Sequence, residues 1–175
     1  MLDSKGYQLI IPDCSGSYIL AGELTERVSL THNRWSHIRL PKGYYFYCGS
    51  ARNSGGLRAR VGRHLNKSTS KFWHIDFIKP FLQFRQVWWI ENPESLECKI
   101  CASVLSIPGA LTPLRGFGAS DCKNHCNYHL VFFKSMESLD LINNTIDKLI
   151  SSLTILRREK SGSSTICEYK DRSSF

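Results

Sequence analysis

The spacing of apolar positions changes several times along this chain, and each change marks an element. Ser17 to Leu24 is apolar almost without a break (Tyr18, Ile19, Leu20, Ala21), which predicts a buried strand. Ahead of it, Tyr7 to Ile11 ends at Pro12 and reads as an edge strand. Residues 34–40 alternate loosely through Trp35, Ile38 and Leu40, and Pro41-Lys42-Gly43 turns the chain into Tyr44-Tyr45-Phe46-Tyr47-Cys48. Aromatic side chains suit a pleated, half-buried surface, so this too is a strand. The first fifty residues therefore predict a run of antiparallel hairpins.

After a glycine-rich bend the period becomes four. Leu57, Val61 and Leu65 form the apolar stripe of a helix. Phe72 to Ile78, stopped by Pro80, predicts a short helix or turn, and Phe84 to Ile90 another strand. Asn92-Pro93-Glu94 has the form of a capped helix start, with Leu96, Ile100, Val104 and Ile107 keeping a helical period up to Pro108-Gly109. His129 to Phe133 predicts a last strand, and Leu139, Ile142, Ile146, Leu149, Leu153 and Leu156 mark a long amphipathic helix. The pattern adds up to an α/β (α+β) domain, a small, mainly antiparallel sheet flanked by helices. Residues 1–14 are a leader, 15–134 the domain and 135–158 the terminal helix. Residues 159–175, polar and serine-rich, predict a disordered tail.

Composition narrows the function classes. The 175 residues carry a net charge of +8 and are 42% hydrophobic, enough for one domain with a core and a preference for an acidic partner. Nucleic acid is the first such partner, DNA ahead of RNA; an anionic membrane surface is second. No apolar run is long enough to span a bilayer, and Met1-Leu2-Asp3-Ser4-Lys5, with no apolar core behind it, does not read as a signal peptide. Seven cysteines, an odd number in a chain that does not need disulfides, point to a reducing, cytoplasmic setting.

Two constellations carry chemistry. Arg60 and His64 lie four apart on the first helix and aim the same way, facing Tyr47 near the end of the preceding strand. Arg52, Arg58, Arg63, Lys67 and Lys71 surround them in sequence and would track a nucleic-acid backbone, with His74 as a further contact. A solvated basic helix is the plainer account of the same residues. In the second, Cys122, Cys126 and His129 have zinc-compatible spacing, and Cys98 could complete a tetrahedral set. Cys101 and His125 lie nearby, and packed core thiols explain the same cysteines without a metal.

Gly16-Ser17-Tyr18, Tyr47-Cys48-Gly49-Ser50-Ala51 and Arg60-Val61-Gly62-Arg63-His64 resemble, in that order, the motifs of the GIY-YIG nuclease superfamily. Pro41-Lys42-Gly43-Tyr44-Tyr45, Trp73-His74-Ile75-Asp76, Leu96-Glu97-Cys98, Gly116-Phe117-Gly118 to Asp121-Cys122, and His129-Leu130 bring the layout closer to its Uri-type branch. The likeness spans about residues 15–134. Ser17 and Cys48 replace the isoleucines at the centres of the two tripeptides, positions expected to face the core. The superfamily's late asparagine has three candidate counterparts, Ser120, Asp121 and Asn127.

The resemblance implies a metal-dependent endonuclease that cuts DNA (or RNA) by water attack, leaving 5′-phosphate and 3′-hydroxyl ends. Glu97 would hold Mg2+ or Mn2+, Arg60 would bind the scissile phosphate, and Tyr18 and Tyr47 would orient or deprotonate water, with His64 as a proton carrier. Two rivals use fewer residues: a nucleic-acid-binding module with little catalysis, and a zinc-stabilised interaction domain. Mere binding needs the lysines and arginines alone, so the joint presence of Tyr18, Tyr47, Arg60 and Glu97 favours the enzyme.

Overall fold

A computed structural model describes residues 11–30, 33–66, 70–120, 122, 124–135, 139–158 and 168–170. The long strands are β1 (Gly16–Leu24), β4 (Gly43–Ala51) and β5 (Gln83–Glu91), with a two-stranded ribbon of β2 (Val28–Ser29) and β3 (Arg39–Leu40) between the first two. β6 (Leu130–Phe133) and β7 (Glu168–Lys170) complete a five-stranded antiparallel sheet in the order β6-β4-β1-β5-β7. The helices are α1 (Gly56–Leu65), α2 (Glu97–Leu105) and α3 (Leu139–Arg158). The chain is thus an α+β domain with a mainly antiparallel sheet flanked by helices, as the hydrophobic pattern predicts.

Alternation along the strands sorts the core onto the two faces of the sheet. Tyr18 and Leu20 of β1, Tyr45 and Tyr47 of β4, and Val87 and Trp89 of β5 pack on one side with Leu57 and Val61 of α1, Ile75, Ile78 and Phe117. Ile19, Ala21, Phe46, Cys48, Trp88 and Ile90 pack on the other, against Ile100 and Val104 of α2 and Ile142, Ile146 and Ile150 of α3. Covered on both faces, β1 shows an unbroken apolar run rather than alternation with polar residues. Each such large side chain contributes about 1.5–3 kcal/mol by burial.

Four expectations change. Residues 34–40 form a 3-10 turn (Asn33–Trp35) followed by the short β3, and β1 pairs with β4 and β5 rather than with a sequential hairpin partner. Helix α2 begins at Glu97, not at Pro93; the Asn92 carboxamide accepts the Glu94 N–H at 2.8 Å in a separate turn ahead of it. Leu96 then takes the cap position, and its N–H donates to the buried Ser17 Oγ at 2.9 Å, across from β1. Within the tail expected to be disordered, Glu168–Lys170 are β7, paired with Gln86–Trp88; the open edge of β5 supplies the ladder bonds that sequence composition does not register. The rest of 159–175, and residues 7–10 of the expected edge strand, lie outside the described residues; Ile11 is buried in the core.

Among the described residues no helix is long and apolar enough to cross a membrane. Their six cysteines are all free thiols.

Candidate functional site

The two tripeptides meet by register. Tyr18 of β1 stands opposite Gly49 of β4, and Leu20 opposite Tyr47, so both phenols rise from the same face of adjacent strands. Their rings lie 6.5 Å apart. A Cβ at Gly49 would come within 2.5 Å of the Tyr18 hydroxyl, so only glycine lets that ring lie across the neighbouring strand. The central residues Ser17 and Cys48 point to the opposite face, fully buried, as expected. Ser17 caps α2. The Cys48 thiol is pushed up by its hydrogen bond with Cys101 and by burial, and stays protonated.

Behind the tyrosines is a buried polar chain. The Tyr18 hydroxyl and His64 Nε2 are 2.9 Å apart, while His64 Nδ1 faces Asp76 Oδ1 at 3.9 Å, too long for a hydrogen bond. Burial pushes the His64 pKa down despite Asp76, so the imidazole is neutral near pH 7. Burial would raise Asp76, but a bidentate Arg63 and the backbone N–H groups of Trp73 and Phe72 hold it well below the usual carboxylate range. Lys79 adds an ion pair at 3.4 Å. Asp76 therefore ties α1 to the segment that carries Trp73 and His74.

Both phenols are pushed well above their ordinary pKa, chiefly by burial. Tyr47 and Glu97 add to this around Tyr18, Glu97 adds to it around Tyr47, and Arg60 opposes it in both. Each is a neutral hydroxyl near pH 7. Among the described residues, the neutral His64 is the partner within hydrogen-bond distance that could take a proton from Tyr18.

An open cleft of about 860 Å³ gathers Tyr18, Tyr47, Arg60 and Glu97 with Arg52, Trp73, His74 and Cys98. The Arg60 guanidinium sits 4.0 Å from the centre of the Trp73 ring, a cation–π contact that aims it. Glu97, half-buried in the first turn of α2, makes no hydrogen bond or ion pair among the described residues. His74 Nδ1 accepts the Gly118 N–H at 2.7 Å.

Arg58, Arg63 and Lys71, cations of the expected basic track, have partners of their own. Arg58 is held by the Ile11 carbonyl and Asp13, and Arg63 by Asp76 and the Ser70 carbonyl. Lys71 sits over the Phe77 ring, and Lys67 lies outside the described residues. Of the expected backbone contacts, Arg52 and His74 line the cleft. Ser120 lines it too, while Asp121 lies outside the described residues and Asn127 is not among the lining residues. Sequence reasoning missed Asp76 and Trp73 as site builders. The only signal for either was the Trp73-His74-Ile75-Asp76 motif.

Cys98, Cys122, Cys126 and His129 converge beside Glu97, their ligand atoms all within 4.8 Å of one another. Cys98 Sγ is 3.3 Å from Cys122 Sγ and 3.6 Å from His129 Nε2. Ligands at 2.3 Å around a tetrahedral ion stand about 3.8 Å apart, so the set is close to metal-binding geometry. His129 Nδ1 lies 2.9 Å from the Gly118 carbonyl, which fixes its N–H there and turns Nε2 toward the thiols. Burial and the neighbouring thiols push Cys126 up to about 12. Burial also raises Cys98; it would raise Cys122, but hydrogen bonds from Cys126, Cys98 and Asn124 bring that thiol below its ordinary value. This Cys3His cluster can hold a metal such as zinc. Cys101 is not in it; its thiol donates to the Tyr128 carbonyl.

No curated protein and no solved structure matches the chain. A family model described as a domain of unknown function, DUF123, matches residues 17–151, and the chain belongs to that family.

Proposed function

We propose that this chain is a GIY-YIG-type endonuclease that hydrolyses phosphodiester bonds in nucleic acid, DNA in the first instance. One observation carries the reading: Tyr18, Tyr47, Arg60 and Glu97, borne by four separate elements, line a single open cleft. Phosphodiester hydrolysis needs a positioned water, a cation on the developing negative charge and help for the leaving oxygen. Arg60, aimed by Trp73, would take the scissile phosphate. The Tyr18 hydroxyl would hold the attacking water by accepting its hydrogen bond, and His64 would receive the phenol's proton as the water gives up its own. Tyr47 would fix the water from the other side.

Glu97 would hold Mg2+ or Mn2+, which on binding would supply Lewis-acid stabilisation of the leaving oxygen. An oxygen donor without another partner among the described residues suits such a hard cation. The three thiols and the imidazole suit zinc, in a structural role beside the cleft.

The test is cleavage of end-labelled single-stranded and duplex DNA, and of RNA, with and without Mg2+ or Mn2+. Metal-dependent cutting that Glu97→Gln lowers at least about a hundredfold, with binding intact, supports the reading. Cutting by Glu97→Gln at the wild-type rate removes Glu97 from the metal site. Binding without cutting under any metal would leave a nucleic-acid-binding module instead.

A further inference from the structure

Phe72 is the most exposed of the large hydrophobic side chains among the described residues, at 74%. Its backbone is nonetheless fixed: the N–H groups of Phe72 and Trp73 both donate to Asp76 Oδ2, at 2.9 and 2.8 Å. A pinned loop thus holds a phenyl ring in water. The ring lies on the wall of the cleft, its centroid 4.9 Å from that of Trp73. Trp73 in turn carries the Arg60 guanidinium over its own ring. A free aromatic surface and a phosphate-binding cation therefore flank the same indole.

That pairing has a chemical meaning. An aromatic face held in water offers stacking to any base whose own face is open, and a neighbouring arginine holds the phosphate attached to it. A base inside a duplex is already stacked on both sides and has no face to offer. We propose that Phe72 is a stacking platform for an unpaired nucleobase next to the phosphate on Arg60. Single-stranded nucleic acid, or an unpaired segment of a longer one, is then the preferred substrate. Arg52 and Arg60, which line the same cleft, supply the complementary charge. This inference rests on the cleft being a nucleic-acid site.

The experiment is fluorescence anisotropy with the full chain, a labelled single strand of mixed sequence and the duplex of the same sequence, without added divalent cation. The wild type binds the single strand more tightly. Phe72→Ala weakens single-strand binding about tenfold or more and duplex binding less than about twofold, whereas Phe72→Trp keeps the preference. Phe81→Ala removes another exposed ring, 47% exposed and outside the cleft lining, and leaves both affinities as they were. Equal losses on both substrates for Phe72→Ala, or no loss on either, overturn the stacking role alone. A wild-type chain that binds neither substrate overturns the nucleic-acid reading, and this one with it.

Discussion

Arg60 and Asp76 act on the cleft in different ways, and substitution separates them. Under the proposed function Arg60 would meet the scissile phosphate, so Arg60→Ala should lower the single-turnover cleavage rate about 10²–10³-fold while weakening binding much less. A binding loss as large as the rate loss would make Arg60 a simple anchor. Asp76 is buried and gathers His64, Arg63, Lys79 and two backbone N–H groups, so Asp76→Asn should cost about 3 kcal/mol in urea unfolding at pH 7. The sign of its pH dependence follows from the depressed carboxyl pKa. The stability Asp76 adds is fully present above its unfolded value near 3.9, and is lost as pH falls from there toward the folded value. The gap between wild type and Asp76→Asn should therefore be constant from pH 7 to 5 and narrow below about pH 4; a gap that widens on acidification would contradict this. Tyr18, Tyr47, Arg60 and Glu97 could be picked out in the sequence because their order and spacing carry the pattern. Asp76 could not: its role depends on α1 folding back over the 72–76 loop, which no local periodicity encodes.

Helix α2 shows the same division at the scale of an element. Its apolar stripe through Leu96, Ile100 and Val104 is plain in the sequence, but its start is met from elsewhere, by Ser17 Oγ on Leu96 N. Pro93 and Asn92 look like a helix start in isolation and instead form the turn before it, because the distant hydroxyl offers a cap three residues later. That turn carries Glu97 and Cys98 side by side, so the Cys3His cluster holds the base of the proposed catalytic carboxylate. If zinc occupies the cluster, the purified chain contains about one zinc per molecule by the four-ligand rule. Prolonged chelation lowers its melting temperature, and added magnesium does not restore it. Cys126→Ser reproduces the loss, whereas Cys14→Ser, outside the cluster, has a small effect. Metal analysis of protein made under reducing, chelator-free conditions that finds no zinc would leave these four side chains as packed core residues.

Across the whole molecule, a net charge of +8 suggests a broad basic surface, yet the cleft itself is mixed. Arg52 and Arg60 line it together with Glu94 and Glu97, while Arg58 and Arg63 are engaged with Asp13 and Asp76. Charge counted along a sequence cannot distinguish a cation lining a cleft from one paired elsewhere in the fold. The apolar runs read as strands at Ser17–Leu24, Tyr44–Cys48 and Phe84–Ile90 do fall within β1, β4 and β5, because burial on a sheet face is fixed by apolar side chains close together in sequence. The charge distribution makes a prediction that net charge alone does not. For a single strand, each phosphate contact contributes about 0.7 to the slope of log K against log salt. Arg52→Ala should flatten that slope by about one contact's worth, without altering the rate of cleavage at saturating substrate. Arg58→Ala removes the same formal charge from a side chain bound to Ile11 and Asp13, and should leave the slope nearly unchanged. Equal flattening by the two substitutions would mean that nucleic acid follows the overall field of the domain rather than the cleft, and the site would then have to be sought along the outer face of α1.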